Sequence, residues 1–183
     1  MNLYLRLIRV VIASFFMARI TNVLEPATIR LRVWMNDLDS NGHMNNGRYL
    51  TIMDLGRLDL IMRSGILKMM LRRGYQPVLA SAQMRYRLQL KPIRPFDLQT
   101  RILCWDDKWV YMEQRFLFTT GVKTGAVAAI GIVKGGFYDP RAKATVPTSE
   151  LLKALNLPSE SPPFPGHIQK WIEAEDALRA VTA

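Results

Sequence analysis

Asp39, Asn41 and His43 place a carboxylate, an amide and an imidazole within one short stretch, Trp34-Met-Asn-Asp-Leu-Asp-Ser-Asn-Gly-His-Met-Asn-Asn-Gly-Arg-Tyr49. The three residues alternate, so an extended backbone would point all three side chains the same way. Asn45 or Asn46 is of the right type to cap a helix that starts near Gly47. A helix start presents unpaired backbone N–H groups and a partial positive charge. A carboxylate beside such donors can attack a carbonyl carbon, or direct water at it, while the donors hold the oxyanion. Asp39 is therefore the candidate nucleophile or general base, with Asn41 and His43 as its catalytic companions. Asn45, Asn46 and Tyr49 are candidate substrate contacts. Each has a structural alternative. Asp-Ser-Asn-Gly is also a turn in which an aspartate bonds its own backbone. His43 can bond backbone at the helix start, both asparagines can be caps, and Tyr49 can be a core aromatic. Asp37 reads as the structural acid of the pair.

Two further charged sets stand outside this stretch. Asp54 and Arg57, three apart on the helix, suit a buried ion pair. Arg85, Arg87 and Lys91 alternate along one strand face, and with Arg94 they suit phosphate groups; an exposed strand face explains them equally well. Cys104 reads as a core residue.

The elements that must position these groups follow from hydropathy. Thr28–Trp34 alternates apolar and polar residues and predicts a half-buried strand with Ile29, Leu31 and Val33 inward. Residues 47–63 are apolar on most sides and predict a buried helix. Gly56 in its middle costs about 1 kcal/mol against alanine, a cost that close approach to a sheet would justify. A short basic helix follows at Ile66–Arg73. Strands are predicted over Pro77–Leu90, Phe96–Trp105, Trp109–Thr119 and Gly125–Tyr138, with hairpin turns at Asp106–Lys108 and Thr120–Thr124. Gly135-Gly136 predicts a bulge or kink in the last strand. The tail holds a helix at Thr148–Leu155, a proline-rich linker at Leu157–Pro165 and an amphipathic helix at His167–Val181. Three parts result: an apolar and basic amino-terminal helix over 1–24, a central domain over 25–140 and a helical tail over 141–183.

The chain has 183 residues, enough for one domain with a core, and a single cysteine, which excludes an internal disulfide and fits a reducing compartment such as the cytoplasm. Two histidines and no cluster with ligand spacing predict no metal. The net charge of +10 favours anionic partners, and no motif accompanies it that would point to nucleic acid. Near the amino terminus, Arg6, Arg9 and Arg19 flank the apolar run Val10–Ala18, which is shorter than the roughly 20 residues a membrane span needs. Residues 1–20 are thus open to three readings: a helix in peripheral contact with a membrane, an uncleaved anchor, or a helix packed on the domain or a partner subunit.

A strand, a long buried helix and four antiparallel strands give an α+β chain in the arrangement called the hotdog fold, a central helix wrapped by a curved antiparallel sheet, with helices added at both ends. The chain resembles the 4-hydroxybenzoyl-CoA thioesterase-like group of the hotdog superfamily. That group carries an Asp-x-Asp-x-x-Gly-His-x-Asn signature followed by a tyrosine, present here as Asp37, Asp39, Gly42, His43, Asn45 and Tyr49. The resemblance covers about residues 27–140. It implies cleavage of an acyl thioester of coenzyme A or acyl carrier protein, with Asp39 as the catalytic carboxylate and no cofactor beyond the coenzyme A of the substrate; the strand alternation that sets out Arg87 makes it the candidate contact for that substrate's phosphates. Asp39, Asn41 and His43 also resemble the constellation of acyl carrier protein thioesterases, which add a later acid. No Asp or Glu lies between Asp59 and Asp97, and Gln76 or Gln83 could only position a water. The leading expectation is an acyl-CoA thioesterase. The alternatives are an acyl-binding or membrane-associated hotdog module without turnover and, more remotely, a dehydratase. One such sheet leaves an edge strand exposed, which predicts a homodimer or a dimer of dimers.

Overall fold

The computed structural model describes residues 2–181. In chain order it contains α1 (Asn2–Phe16), β1 (Ala27–Arg32), α2 (Asn46–Ser64), α3 (Ile66–Arg73), β2 (Gln76–Tyr86), β3 (Pro95–Trp105), β4 (Val110–Phe118), β5 (Val127–Asp139), β6 (Ala144–Val146), α4 (Thr148–Leu155) and α5 (Gly166–Val181). The strands form one antiparallel sheet in the order β1-β3-β4-β5-β2, with β6 paired to β5. The sheet curls into a half-barrel around α2. Ile52, Met53 and Leu55 of the helix meet Phe96, Leu98, Phe116 and Val133 of the sheet in one apolar core.

Gly56 lets the helix settle that deeply. A Cβ at this position would lie 2.5 Å from Thr100 Oγ1, 2.8 Å from Gln114 Nε2 and 2.9 Å from Leu98 Cδ2. Gln114 is fully buried, and its amide donates to Met53 O (2.9 Å) and Thr100 Oγ1 (3.0 Å), tying helix to sheet. The close approach that would justify a mid-helix glycine is therefore present.

Several boundaries differ from the sequence expectation for local reasons. β1 ends at Arg32 because Trp34 opens a single 3-10 turn, Met35–Asp37, with its N–H on Asp37 Oδ2 (2.8 Å). β2 stops at Tyr86, not Leu90; beyond it Arg87 and Leu88 both donate to Ala128 O (2.9 Å each), so the regular ladder ends. At Gly135-Gly136 the irregularity lies on the neighbouring strand, between Leu79 and Ser81. Gly136 instead makes room for the Trp109 ring, since a Cβ there would stand 3.2 Å from Trp109 Cε3. β6 is too short to leave a period-2 signal in the sequence.

The end segments are fixed to the domain. α4 packs Leu151 and Leu152 against Leu60 and Ile66. α5 packs Ile168 and Trp171 on a separate cluster around Cys104, Tyr111 and Ile132. Burial pushes the Cys104 thiol up to about 12, in keeping with a core residue. α1 is held by polar ties. Arg6 is ion-paired with the buried Asp37, and its guanidinium also donates to Arg32 O (2.9 Å). Arg9 donates to Arg30 O (3.2 Å), and Ser14 donates to the buried Asp59 (2.9 Å), which Arg63 also engages (2.9 Å).

Candidate active site

Asp39, Asn41 and His43 do not lie on an extended strand. Leu38 and Met44 bridge across a tight turn, in which Asp39 N–H donates to His43 O (2.8 Å) and Gly42 N–H to Asp39 O (3.1 Å). Gly42 takes a left-handed conformation at φ 71°, one that suits glycine. Asp39 Oδ1 accepts from the N–H groups of Asn41 (2.9 Å) and His43 (3.3 Å). The turn bonding raised above as a structural alternative is thus real, and it also aims the acid. It leaves Asp39, Asn41 and His43 lining one cleft, where the alternation had called for a straight backbone.

That cleft, about 290 Å³, opens at the amino end of α2 and is lined further by Met44, Asn46, Tyr49, Tyr86, Arg87, Leu88 and Gln89. Asp39 is the one carboxylate among these residues. Asn45 is not part of the lining. It is the helix cap, its side-chain oxygen accepting from Gly47 N–H (2.9 Å), so its expected contact with substrate is corrected to a structural role. Asn46 does face the cleft, and its carbonyl accepts from the Tyr86 hydroxyl (3.0 Å). Of the four basic residues expected to suit phosphate groups only Arg87, just past the end of β2, lines the cleft; Arg85, Lys91 and Arg94 do not. Tyr86, Leu88 and Gln89 were missed in the sequence, where their only signal was proximity to Arg87.

Tyr49 forms part of the floor. It is buried, with its ring edge-to-face on Tyr86 (5.2 Å) and Phe116 (4.9 Å). Burial pushes its phenol up to about 12, against a smaller opposing effect of the Leu90 backbone, so it remains a proton donor at neutral pH. Below the cleft, Asp37 gathers Arg6, Arg48 (3.2 Å) and the Trp34 N–H, and its carbonyl accepts from Asn45 N–H (2.8 Å). This buried carboxylate joins α1, the turn and the start of α2. It acts as a strut, since it does not line the cleft.

A second hollow of about 240 Å³ flanks the later half of α2. Leu58, Ile61, Val78, Met112, Gly135 and Phe137 are among its walls, and they are nearly all apolar. Asp54 and Arg57 also line it. Their ion pair is present but is not buried as a unit: Asp54 is 65 % exposed and Arg57 14 %. Burial lowers the Arg57 pKa, with Asp54 opposing it, and Arg57 also donates to Gln114 (2.9 Å). Among the described residues no group of three or more His, Cys, Asp or Glu side chains could hold a metal ion.

Residues 33–172 match the family model described as the thioesterase-like superfamily. Protein THEM6 of Xenopus laevis is 34 % identical over 142 residues, covering 78 % of this chain, and the chain spans 65 % of that relative's length. The crystal structure of YbaW, a probable thioesterase from Escherichia coli, superposes with a TM-score of 0.64 at 19 % identity over 70 % of this chain and 95 % of that one. A hypothetical protein from Staphylococcus aureus, solved in complex with CoA, superposes with a TM-score of 0.62 at 16 % identity over 79 % and 92 % of the two chains. The matched region holds the turn, the central helix and the strands β2 to β6 of a hotdog fold, and the chain belongs to the thioesterase-like superfamily.

Proposed function

We propose that this chain hydrolyses acyl-CoA thioesters in the cleft at the amino end of α2, with Asp39 as nucleophile or general base. One observation carries the reading: the sole carboxylate lining the cleft has one oxygen fixed by two backbone N–H groups. Oδ2 accepts no hydrogen bond from the described residues, which suits it to reach a carbonyl carbon or a water. In the first case Oδ2 bonds to the carbonyl carbon and the C–S bond breaks, leaving an acyl-aspartyl anhydride that water then hydrolyses. In the second, water attacks while Asp39 takes its proton. In both, the electron pair of the C–S bond leaves on the thiolate, a stable leaving group that solvent or His43 can protonate. At the start of α2 the N–H groups of Asn45, Gly47 and Arg48 are already bonded to Asp37 and Asn45, so the Asn46 N–H is the backbone donor that suits the oxyanion.

Arg87 at the rim suits the phosphates of coenzyme A, a ligand that the Staphylococcus aureus protein is known to hold. The apolar hollow along α2 suits the acyl chain. The outer edge of β2 pairs with no other strand among the described residues, and nothing in Val78–Tyr86 forbids ladder bonds. This supports a homodimer closed edge to edge, which sedimentation equilibrium would show as twice the chain mass.

The test is thiol release from a panel of acyl-CoAs, wild type against Asp39→Asn. Turnover that disappears with Asp39→Asn supports the reading, and turnover that survives it removes Asp39 from the reaction. The absence of a second acid in the cleft favours one rival, a module that binds acyl-CoA without turning it over. Binding with no thiol release from the wild type would establish that rival.

A further inference from the structure

α1 wears its side chains the wrong way round for a helix packed on a water-soluble domain. Its inward residues include Arg6, Val10 and Ser14, which are 5–7 % exposed. Two of these three are polar, and each is matched to a buried acid, Arg6 to Asp37 and Ser14 to Asp59. Its outward face is Tyr4, Leu5, Ile8, Ile12, Phe15 and Phe16, each 54–87 % exposed. An ordinary surface helix does the reverse. A contiguous apolar ridge of this kind marks an interaction site.

The ridge's surroundings identify what covers it. The chain holds Arg6, Arg9 and Arg19 before its first acidic residue, Glu25. Arg9 and Arg19 are exposed, and Arg9 stands at the flank of the ridge, on Arg30 O of the neighbouring strand. Arg32 is exposed and adds positive charge beside it, whereas Arg30 is ion-paired with Asp97 (2.8 Å). The exposed face mixes the aromatic Tyr4, Phe15 and Phe16 with aliphatic side chains, a composition that suits a helix lying in the plane of a lipid–water boundary. A helix of 15 residues is about 22 Å long, short of the roughly 30 Å hydrocarbon core, and among the described residues no helix is long and apolar enough to cross a membrane. The face is also a single convex ridge, whereas the open edge of β2 offers a second copy of the chain a full ladder of backbone bonds.

We propose that α1 is an interfacial helix that lays this chain on an anionic lipid surface. Tyr4, Leu5, Ile8, Ile12, Phe15 and Phe16 enter the boundary between headgroups and acyl chains, and Arg9 and Arg19 lie among the lipid phosphates. The buried ties through Arg6 and Ser14 make the helix a rigid foot of the domain. Because Asp37 carries one of those ties and precedes Asp39 by two residues, the foot is joined directly to the turn that lines the cleft.

Flotation of the full chain with vesicles tests this, using phosphatidylcholine alone and phosphatidylcholine mixed with phosphatidylglycerol. The chain should float with the mixed vesicles and float less with the neutral ones. Replacing two ridge residues, Ile8→Glu with Phe15→Glu, should lower flotation about tenfold while leaving circular dichroism and melting temperature unchanged, because both side chains are largely in solvent. Arg19→Gln should narrow the gap between the two vesicle types without altering the fold. The proposal is overturned if the wild type stays unbound with both vesicle types, or if the double variant floats equally well. It is also overturned if the ridge substitutions dissolve an oligomer of the wild type, which would assign the face to a second copy. Flotation does not read turnover, so loss of the thioesterase reading leaves this result standing, and the converse holds too.

Discussion

One helix serves two hollows of opposite character. At its amino end α2 borders an open cleft edged with a carboxylate, an imidazole, amides, two phenols and a guanidinium. Along its later half it borders a hollow of similar size whose walls are nearly all aliphatic or aromatic. The difference follows from where a helix can make backbone groups available. Only its ends leave N–H or C=O groups unpaired, so a site for a developing negative charge belongs at the amino end. The middle has its backbone satisfied and can offer only side chains, here Leu58 and Ile61, together with the Asp54–Arg57 pair. Under the proposed function, chemistry at the end and chain binding along the side is a division of labour that suits a thioester, with one polar centre and one apolar tail.

The largest way to break this comparison is Asp39→Asn. Turnover should fall about 10³-fold with the melting temperature unchanged, while Asp54→Asn, in the second hollow, should cost less than tenfold. Equal losses from the two would mean that the hollows share the chemistry. Next in size is Gly56→Ala, which drives a methyl group into Thr100, Gln114 and Leu98 and must lift the helix away from the sheet. It should cost about 3 kcal/mol by urea denaturation, and turnover should fall as the floor of both hollows shifts. A neutral result would show that the helix sits less deeply than described.

Leu58→Trp sharpens the comparison from the other side. By filling the apolar hollow it should lower turnover of long-chain acyl-CoAs about tenfold and spare short ones. An unchanged chain-length profile would remove the acyl tail from that space. The smallest effect belongs to Tyr49→Phe, with turnover reduced by less than about tenfold. In the folded chain the Tyr49 phenol is held up to about 12, above its ordinary value of 10.0. The folded form therefore keeps its proton where the unfolded form loses it. The associated stability is complete below pH 10 and is lost between pH 10 and 12. Alkaline unfolding should accordingly be less steep above pH 10 in Tyr49→Phe than in wild type.

Much of the cleft lining was legible because all of it but the Tyr86–Gln89 stretch lies close together in the chain. Asp39, Asn41, His43, Asn46, Tyr49 and Arg87 were each picked out by type and spacing, and all six line one cleft. The geometry of the turn was not legible. A period of two and a glycine turn are both compatible with Asp-Ser-Asn-Gly-His, and the choice was made by the Leu38–Met44 bridge and by Gly42 taking positive φ. Asn45 was misplaced as a substrate contact because a cap and a binding amide look alike until the helix start is fixed. Asp59 carries no signal in the local sequence. Its partner Ser14 is far from it in sequence, so no local pattern joins them.

The sequence by itself determined the longer elements, the buried character of α2 and the chemical types gathered at its start, because hydropathy periods and turn chemistry act over a few residues. Only the tertiary structure decided which way each face looks. α1 reads as one apolar run, yet the buried carboxylates of Asp37 and Asp59 draw Arg6 and Ser14 inward and turn its apolar side to the outside. A buried charge must find a partner wherever the fold brings one within reach, and that pairing across distant segments fixed the orientation.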